Sequence, residues 1–230
     1  MKKSVLIFMS LILLGTTLTL KSQNMTQEER NSYALGINMG ESIKNSGLEV
    51  IFEPFTQGIF DALNDACKFS MEELQTCYEN IQEKMMAKQN QEMAKQNQEM
   101  ELEKEKGRQF LAANMLRKEV KETPSGLQYE VIVMGDGQKP EATDKVRVHY
   151  TGKTLDGQVF DSSVERGQPI DFGLNQVIKG WTEGLQLMPV GSKFILYIPS
   201  DLAYGDRGSA PLIKPGATLV FEVELLDLPK

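Results

Sequence analysis

From Ser70 to about Val120 the chain contains no proline and a single glycine, Gly107, and this run constrains the fold more than any other feature. Proline breaks a helix interior and glycine weakens one, so little in the run opposes continuous helix. Ser70 with Glu73 supplies a capping box at its start. At 1.5 Å per residue such a helix spans on the order of 75 Å, more than one globular core needs. The chain is therefore expected to carry separate bodies joined by a connecting helix. Its centre repeats with a period of seven: Met86-Ala-Lys-Gln-Asn-Gln-Glu92 recurs unchanged as Met93 to Glu99, and Met100 opens a third round. A coiled coil needs apolar residues at both a and d, whereas this heptad offers one Met and an adjacent Ala. A solvated spacer helix is the expected form.

Ahead of it, residues 25 to 69 read as two short helices. Thr26 and Glu29 form another capping box, and Tyr33, Ile37 and Ile43 lie near one face. Gly36 and Gly40 are four apart, which suits a close helix crossing. Ser46 and Gly47 end this helix, and Pro54 opens the next, with Phe55, Ile59, Phe60 and Leu63 on its apolar side. So short a segment buries little surface alone, and dimerisation through residues 25–69 is expected.

After Thr123-Pro124 the spacing changes to period two. Val146, Val148 and Tyr150 alternate with polar neighbours, as do Phe194, Leu196 and Ile198, and Leu219, Phe221, Val223 and Leu225. Turns are marked at Gly135-Asp-Gly137, Asp156-Gly157 and Lys214-Pro-Gly216. Gln176 to Gln186 holds a short helical pattern and the single Trp. The expected class is α+β: a helical N-terminal part, then a curved antiparallel sheet packed on one short helix.

Lys2 and Lys3 followed by the apolar run Val5 to Leu14 and a small, mostly polar stretch to Ser22 read as a secretory signal peptide. The run is too short to span a bilayer, which takes roughly 20 apolar residues. Cleavage after residue 22 removes three lysines and no acid, leaving 22 basic against 32 acidic residues, a net charge of −10. Nucleic acid is an unsuitable partner for such a surface. Export leads to an oxidising compartment where Cys67 and Cys77 could pair, although two cysteines make no disulfide scaffold. The fold must rest on packing. Two Cys and the sole His149 do not complete a zinc site, and no metal or cofactor is expected.

His149 falls on the strand face opposite Val148 and Tyr150, away from any cleft a nucleophilic triad would need. The glycine loops lack the strand-to-helix context of a phosphate cradle. What remains is an aromatic C-terminal region with Asp161 beside Phe160, which points to an apolar pocket with few polar groups.

Val148-His-Tyr-Thr-Gly152, Asp156-Gly-Gln-Val-Phe-Asp-Ser-Ser163, Val177-Ile-Lys-Gly-Trp-Thr-Glu-Gly184, Tyr204-Gly205 and Ala217-Thr-Leu-Val-Phe-Glu-Val-Glu-Leu225 together resemble an FKBP-type peptidyl-prolyl cis-trans isomerase. Tyr33-Ala-Leu-Gly36, Gly58-Ile-Phe-Asp-Ala-Leu63 and the long helix are similar to the Mip-like and FkpA-like exported subgroup. The resemblance implies four segments: a signal peptide at 1–22, a helical dimerisation domain at 23–69, a connecting helix at 70–122 and an isomerase domain at 123–230. It implies a site in which the Ile178 backbone N–H and the Tyr204 hydroxyl bond substrate carbonyls and Asp161 faces the reacting amide. Tyr150, Phe160, Arg166, Ile170, Phe172, Val177, Trp181, Leu212, Ile213 and Phe221 would form the substrate pocket, floored by Trp181. Ile170 and Ser209 depart from frequent family residues and leave substrate preference and affinity for macrolide inhibitors such as FK506 open. The implied partners are prolyl-containing unfolded or nascent exported polypeptides and a second copy of the chain. The implied location is the periplasm, with secretion as a further destination and no stable membrane insertion once the signal is cleaved. A competing reading is a holdase chaperone whose prolyl pocket mainly binds clients.

Overall fold

The computed structural model describes residues 25–229; the expected signal peptide lies outside the described residues. Those residues fall into two compact units that meet inside a helix, at Gln89–Asn90. In the first, helix α1 (Gln27–Ser46) starts at the expected cap: Glu29 N–H donates to Thr26 Oγ1 at 3.2 Å, and Thr26 N–H donates to the Glu29 carboxylate at 2.7 Å. It ends at Gly47, whose φ of +66° suits glycine. Helix α2 (Phe52–Leu63) begins two residues before Pro54, which therefore sits in the first turn, where its missing N–H costs nothing. Neither helix buries a residue, and nothing lies within 4 Å of the position a side chain would take at Gly36 or Gly40. Cys67 and Cys77 are exposed free thiols.

Helix α3 (Met71–Asn114) is capped as the sequence predicts, Glu73 N–H donating to Ser70 Oγ at 3.2 Å. It stops at Asn114, short of residue 122, and Val120–Glu122 form strand β1 instead. Tertiary contacts override local propensity here. Asn114 Nδ2 donates to Gln128 Oε1 at 3.0 Å, and Arg117 reaches Glu130 at 2.6 Å and the Tyr197 hydroxyl at 2.9 Å. These bonds turn the chain into the sheet. Among the described residues no helix is long and apolar enough to cross a membrane.

The second unit is built on an antiparallel sheet of β1, β2 (Gln128–Val133), β3 (Lys145–Thr154), β4 (Val159–Ser162), β5 (Ile170–Gly173), β6 (Lys193–Ile198) and β7 (Leu219–Asp227). The order is β1-β2-β6-β7-β3-β4, with β5 also pairing β3. The three alternating sets read from the sequence form its buried face: Val146, Val148, Phe194, Leu196, Ile198, Leu219, Val223 and Leu225 are all at most 1% exposed. Helix α4 (Lys179–Gln186) lies against β6. Gly180 and Gly184 permit this approach: a Cβ at either would stand 2.4 Å from Ile198 or 2.7 Å from Leu196 side-chain carbon. Docking α4 this closely sets the depth of Trp181 between them.

Candidate functional site

Beside α4 the sheet opens a cavity of about 390 Å³ lined by Tyr150, Phe160, Asp161, Phe172, Gln176, Val177, Ile178, Trp181, Tyr204 and Phe221. The strands place most of these by alternation. Tyr150 on β3 and Phe221 on β7 follow the buried period, Phe160 and Asp161 lie on β4, and Phe172 lies on β5. Trp181 is 4% exposed and meets the rings of Tyr150, Phe172 and Phe221 edge-on, with centroids 5.0, 5.5 and 5.3 Å away. Edge-to-face packing is the favoured arrangement of aromatic quadrupoles and leaves little freedom to any one ring. The Trp181 indole N–H is buried without an acceptor among the described residues.

One charge enters this aromatic wall, and it is held on two sides. Tyr150 donates its hydroxyl to one Asp161 oxygen and Arg166 donates to the other, while Arg166 Nη2 donates to the Tyr150 hydroxyl at 3.0 Å. The guanidinium also stands 5.8 Å from the Tyr150 ring centre. Burial works to raise the Asp161 carboxyl, but the bonds from Tyr150 and Arg166 and the guanidinium charge outweigh it and hold the group below its ordinary value. Burial, followed by the bond to Asp161, pushes the Tyr150 phenol up to about 12. Burial and the Asp161 charge likewise raise Tyr204. At neutral pH the site therefore presents an ionised carboxylate and two neutral phenols.

Ile178 is the N-cap residue of α4, and its N–H donates to no group among the described residues. It is a free backbone donor at the cavity edge.

Not every residue expected from the sequence lines the cavity. Arg166 acts on it through Asp161 and Tyr150. Ile170 packs against the core from β5. Ile213 is held by an exchange of N–H···O bonds with Ser209, at 2.8 and 2.9 Å, which turns it into the core, where it is 6% exposed. Its neighbour Leu212 lines a second, smaller cavity of about 130 Å³ with Glu103 and Lys106 of α3. Gln176, in the single helical turn before α4, lines the main cavity and carries no motif that singles it out in the sequence. His149, on the opposite face of β3 from Val148 and Tyr150, is half-buried, with Nδ1 3.1 Å from Ser163 Oγ.

Comparison with known proteins meets this geometry. Residues 136–226 match the model of the FKBP-type peptidyl-prolyl cis-trans isomerase family, and residues 28–131 match the domain amino terminal to FKBP-type peptidyl-prolyl isomerase. The chain is 45% identical to the FKBP-type peptidyl-prolyl cis-trans isomerase FkpA of Aeromonas hydrophila, over 91% of its own length and 80% of that protein's. It is also 45% identical to the FKBP-type 22 kDa isomerase of Escherichia coli, over 88% and 96% of the two chains. The crystal structure of FkpA from Escherichia coli is similar with a TM-score of 0.61 at 35% identity, covering 88% of this chain and 97% of that one. By sequence over most of its length and by the sheet and helices just described, the chain belongs to the FKBP-type peptidyl-prolyl cis-trans isomerases.

Proposed function

We propose that the aromatic cavity is where this isomerase turns X-Pro bonds, and that its substrates are prolyl segments of exported proteins still folding. The observation that carries the reading is the combination in one cavity of an aromatic floor at Trp181, a free N–H at Ile178 and a carboxylate fixed by Tyr150 and Arg166. The peptide bond resists rotation by about 18–20 kcal/mol, and X-Pro isomerisation unaided takes tens to hundreds of seconds. Resonance separates charge between carbonyl oxygen and nitrogen, and water stabilises that separation. The twisted transition state loses it. Moving the amide from water to a largely apolar cavity therefore disfavours the planar ground state more than the twisted one. The prolyl ring rests on Trp181, the Ile178 N–H and the Tyr204 hydroxyl fix flanking carbonyls, and Asp161 faces the twisting amide. No bond is made or broken, and no cofactor is called for. The direct test is the cis-to-trans rate of a Leu-Pro peptide with residues 23–230, with and without FK506. Acceleration blocked by the inhibitor supports the cavity as the site, acceleration insensitive to it keeps the enzyme and points to an altered rim around Ile170 and Ser209, and no acceleration by a folded sample would overturn the reading.

The same reading takes the protein to the periplasm after removal of its first 22 residues and makes it a dimer through α1 and α2. Tyr33, Ile37, Phe60 and Leu63 on these helices are 65%, 47%, 61% and 81% exposed in the single chain. A second copy would cover them. In sedimentation, residues 23–230 are expected to run as a dimer and a fragment of residues 90–230 as a monomer. A dimeric fragment would put the contact in the sheet unit and overturn the assignment to α1 and α2.

A further inference from the structure

Tyr204 opens a loop that returns to the sheet at Leu219, and the loop's limbs are tied together. Gly216 N–H donates to the Gly205 carbonyl at 2.9 Å and Gly208 N–H to the Tyr204 carbonyl at 3.2 Å. Beneath this loop lies the C-terminal half of α3. Lys104 Nζ reaches Asp206 at 2.6 Å and Glu101 at 3.4 Å, and Lys214 reaches Glu103 at 3.7 Å. The Lys104 side chain is only 20% exposed, because it lies under the loop. The fit leaves no slack. A Cβ at Gly216, where φ is +77°, would stand 2.8 Å from the Met100 carbonyl oxygen and 2.9 Å from Lys104 Cγ, and one at Gly107 would stand 2.2 Å from Thr218 Oγ1. The helix thus touches the loop two residues beyond Tyr204 and again on its return limb.

An ion pair with one exposed partner adds little to stability, so its use must be sought in geometry. A hydroxyl that bonds substrate contributes to rate only if held within a fraction of an ångström of its productive place. Tyr204 sits on an irregular loop with no strand to hold it, and α3 is the regular element seated against that loop.

We propose that Lys104 is a positioning residue for the isomerase site, holding through Asp206 the loop that presents Tyr204 to the cavity. The last turns of α3 are then part of the site's scaffold as well as a connection to the N-terminal helices. The proposal rests on the reading of Tyr204 as a substrate-contacting group.

A double-mutant cycle in the full-length mature chain tests it, using Lys104→Met, which keeps the apolar stem beside Gly216, and Tyr204→Phe. Lys104→Met is expected to lower kcat/KM on the order of fivefold and Lys104→Arg to restore most of it. In the Tyr204→Phe background, Lys104→Met should change kcat/KM less than about twofold, because the group it positions is gone. A purely structural role would lower the melting temperature equally in both backgrounds and leave the two kinetic costs additive. Additive costs, or a silent Lys104→Met beside an impaired Tyr204→Phe, overturn the proposal while leaving the cavity as the site. A silent Tyr204→Phe overturns it by removing the role of Tyr204 itself.

Discussion

Replacing Trp181 with alanine is expected to lower the melting temperature of the sheet unit by on the order of 10–20 °C and kcat/KM by more than about tenfold. The ring is 4% exposed and three aromatic neighbours meet it edge-on. Large-to-small changes at buried aromatics cost about 3–5 kcal/mol, combining lost transfer free energy with a cavity the surroundings only partly close. Domains are ordinarily stable by about 5–15 kcal/mol, so all but the least stable survive that loss, and the kinetics are to be measured well below the variant's melting temperature. Collapse of α4 onto β6 does not compensate, since at Gly180 and Gly184 the helix already stands as close to the strand as side-chain contact allows. On the proposed mechanism the catalytic loss follows from the same geometry: without the floor, the prolyl ring would meet a hole, and water would re-enter where desolvation is needed. Trp181→Leu should recover a large part of the stability and little of the rate. Thermal unfolding by circular dichroism and a peptide isomerisation assay check both arms. A melt within about 3 °C of the unsubstituted protein would mean that the ring does not pack as described.

The fold was readable from the sequence wherever one physical rule acted locally. Period-two alternation marked Val146, Val148 and Tyr150, and the same residues are buried on β3, because a strand with one covered face has no other way to arrange them. Capping boxes marked the starts of α1 and α3 within a residue, because the bonds that satisfy a helix end lie three positions apart. The end of α3 was not readable. Met115 to Glu119 are acceptable helix formers, and what stops the helix is Asn114 and Arg117 bonding to Gln128, Glu130 and Tyr197, partners up to 80 residues away. The places of Gln176 and Leu212 were not readable for a related reason. Gln176 enters the cavity from a single helical turn, and Leu212 leaves it because the Ser209–Ile213 bridge turns the loop, and neither effect has a periodic signature. The role of Gly107 was also hidden. Composition shows only a helix-weakening residue, whereas the structure shows the one position on α3 where Thr218 needs the space.

Asp161→Ala is expected to lower kcat/KM by about ten- to hundredfold, and the remainder is as informative as the loss. Removing the carboxylate leaves the Tyr150 hydroxyl and the Arg166 guanidinium without their shared partner, so the polar end of the cavity loses its order together with its charge. Asp161→Asn keeps the shape and an acceptor, and should fall between the two. The pH profile separates charge from shape. The folded-state value of Asp161 lies below its ordinary one, so the benefit of the ionised pair is fully present above the ordinary carboxylate range and is lost as pH falls through the lowered value. Tyr150, pushed up to about 12, stays a phenol throughout the neutral range. The rate should therefore be flat between about pH 5 and 9, with a decline only in strong acid, and Asp161→Asn should lack the part of that decline due to this group. Bond rotation moves no proton, so neither an acid nor a base is consumed in turnover. If folded Asp161→Ala lost all activity, or the rate followed a bell-shaped curve near neutrality, the carboxylate would be transferring a proton and the desolvation mechanism would have to be abandoned.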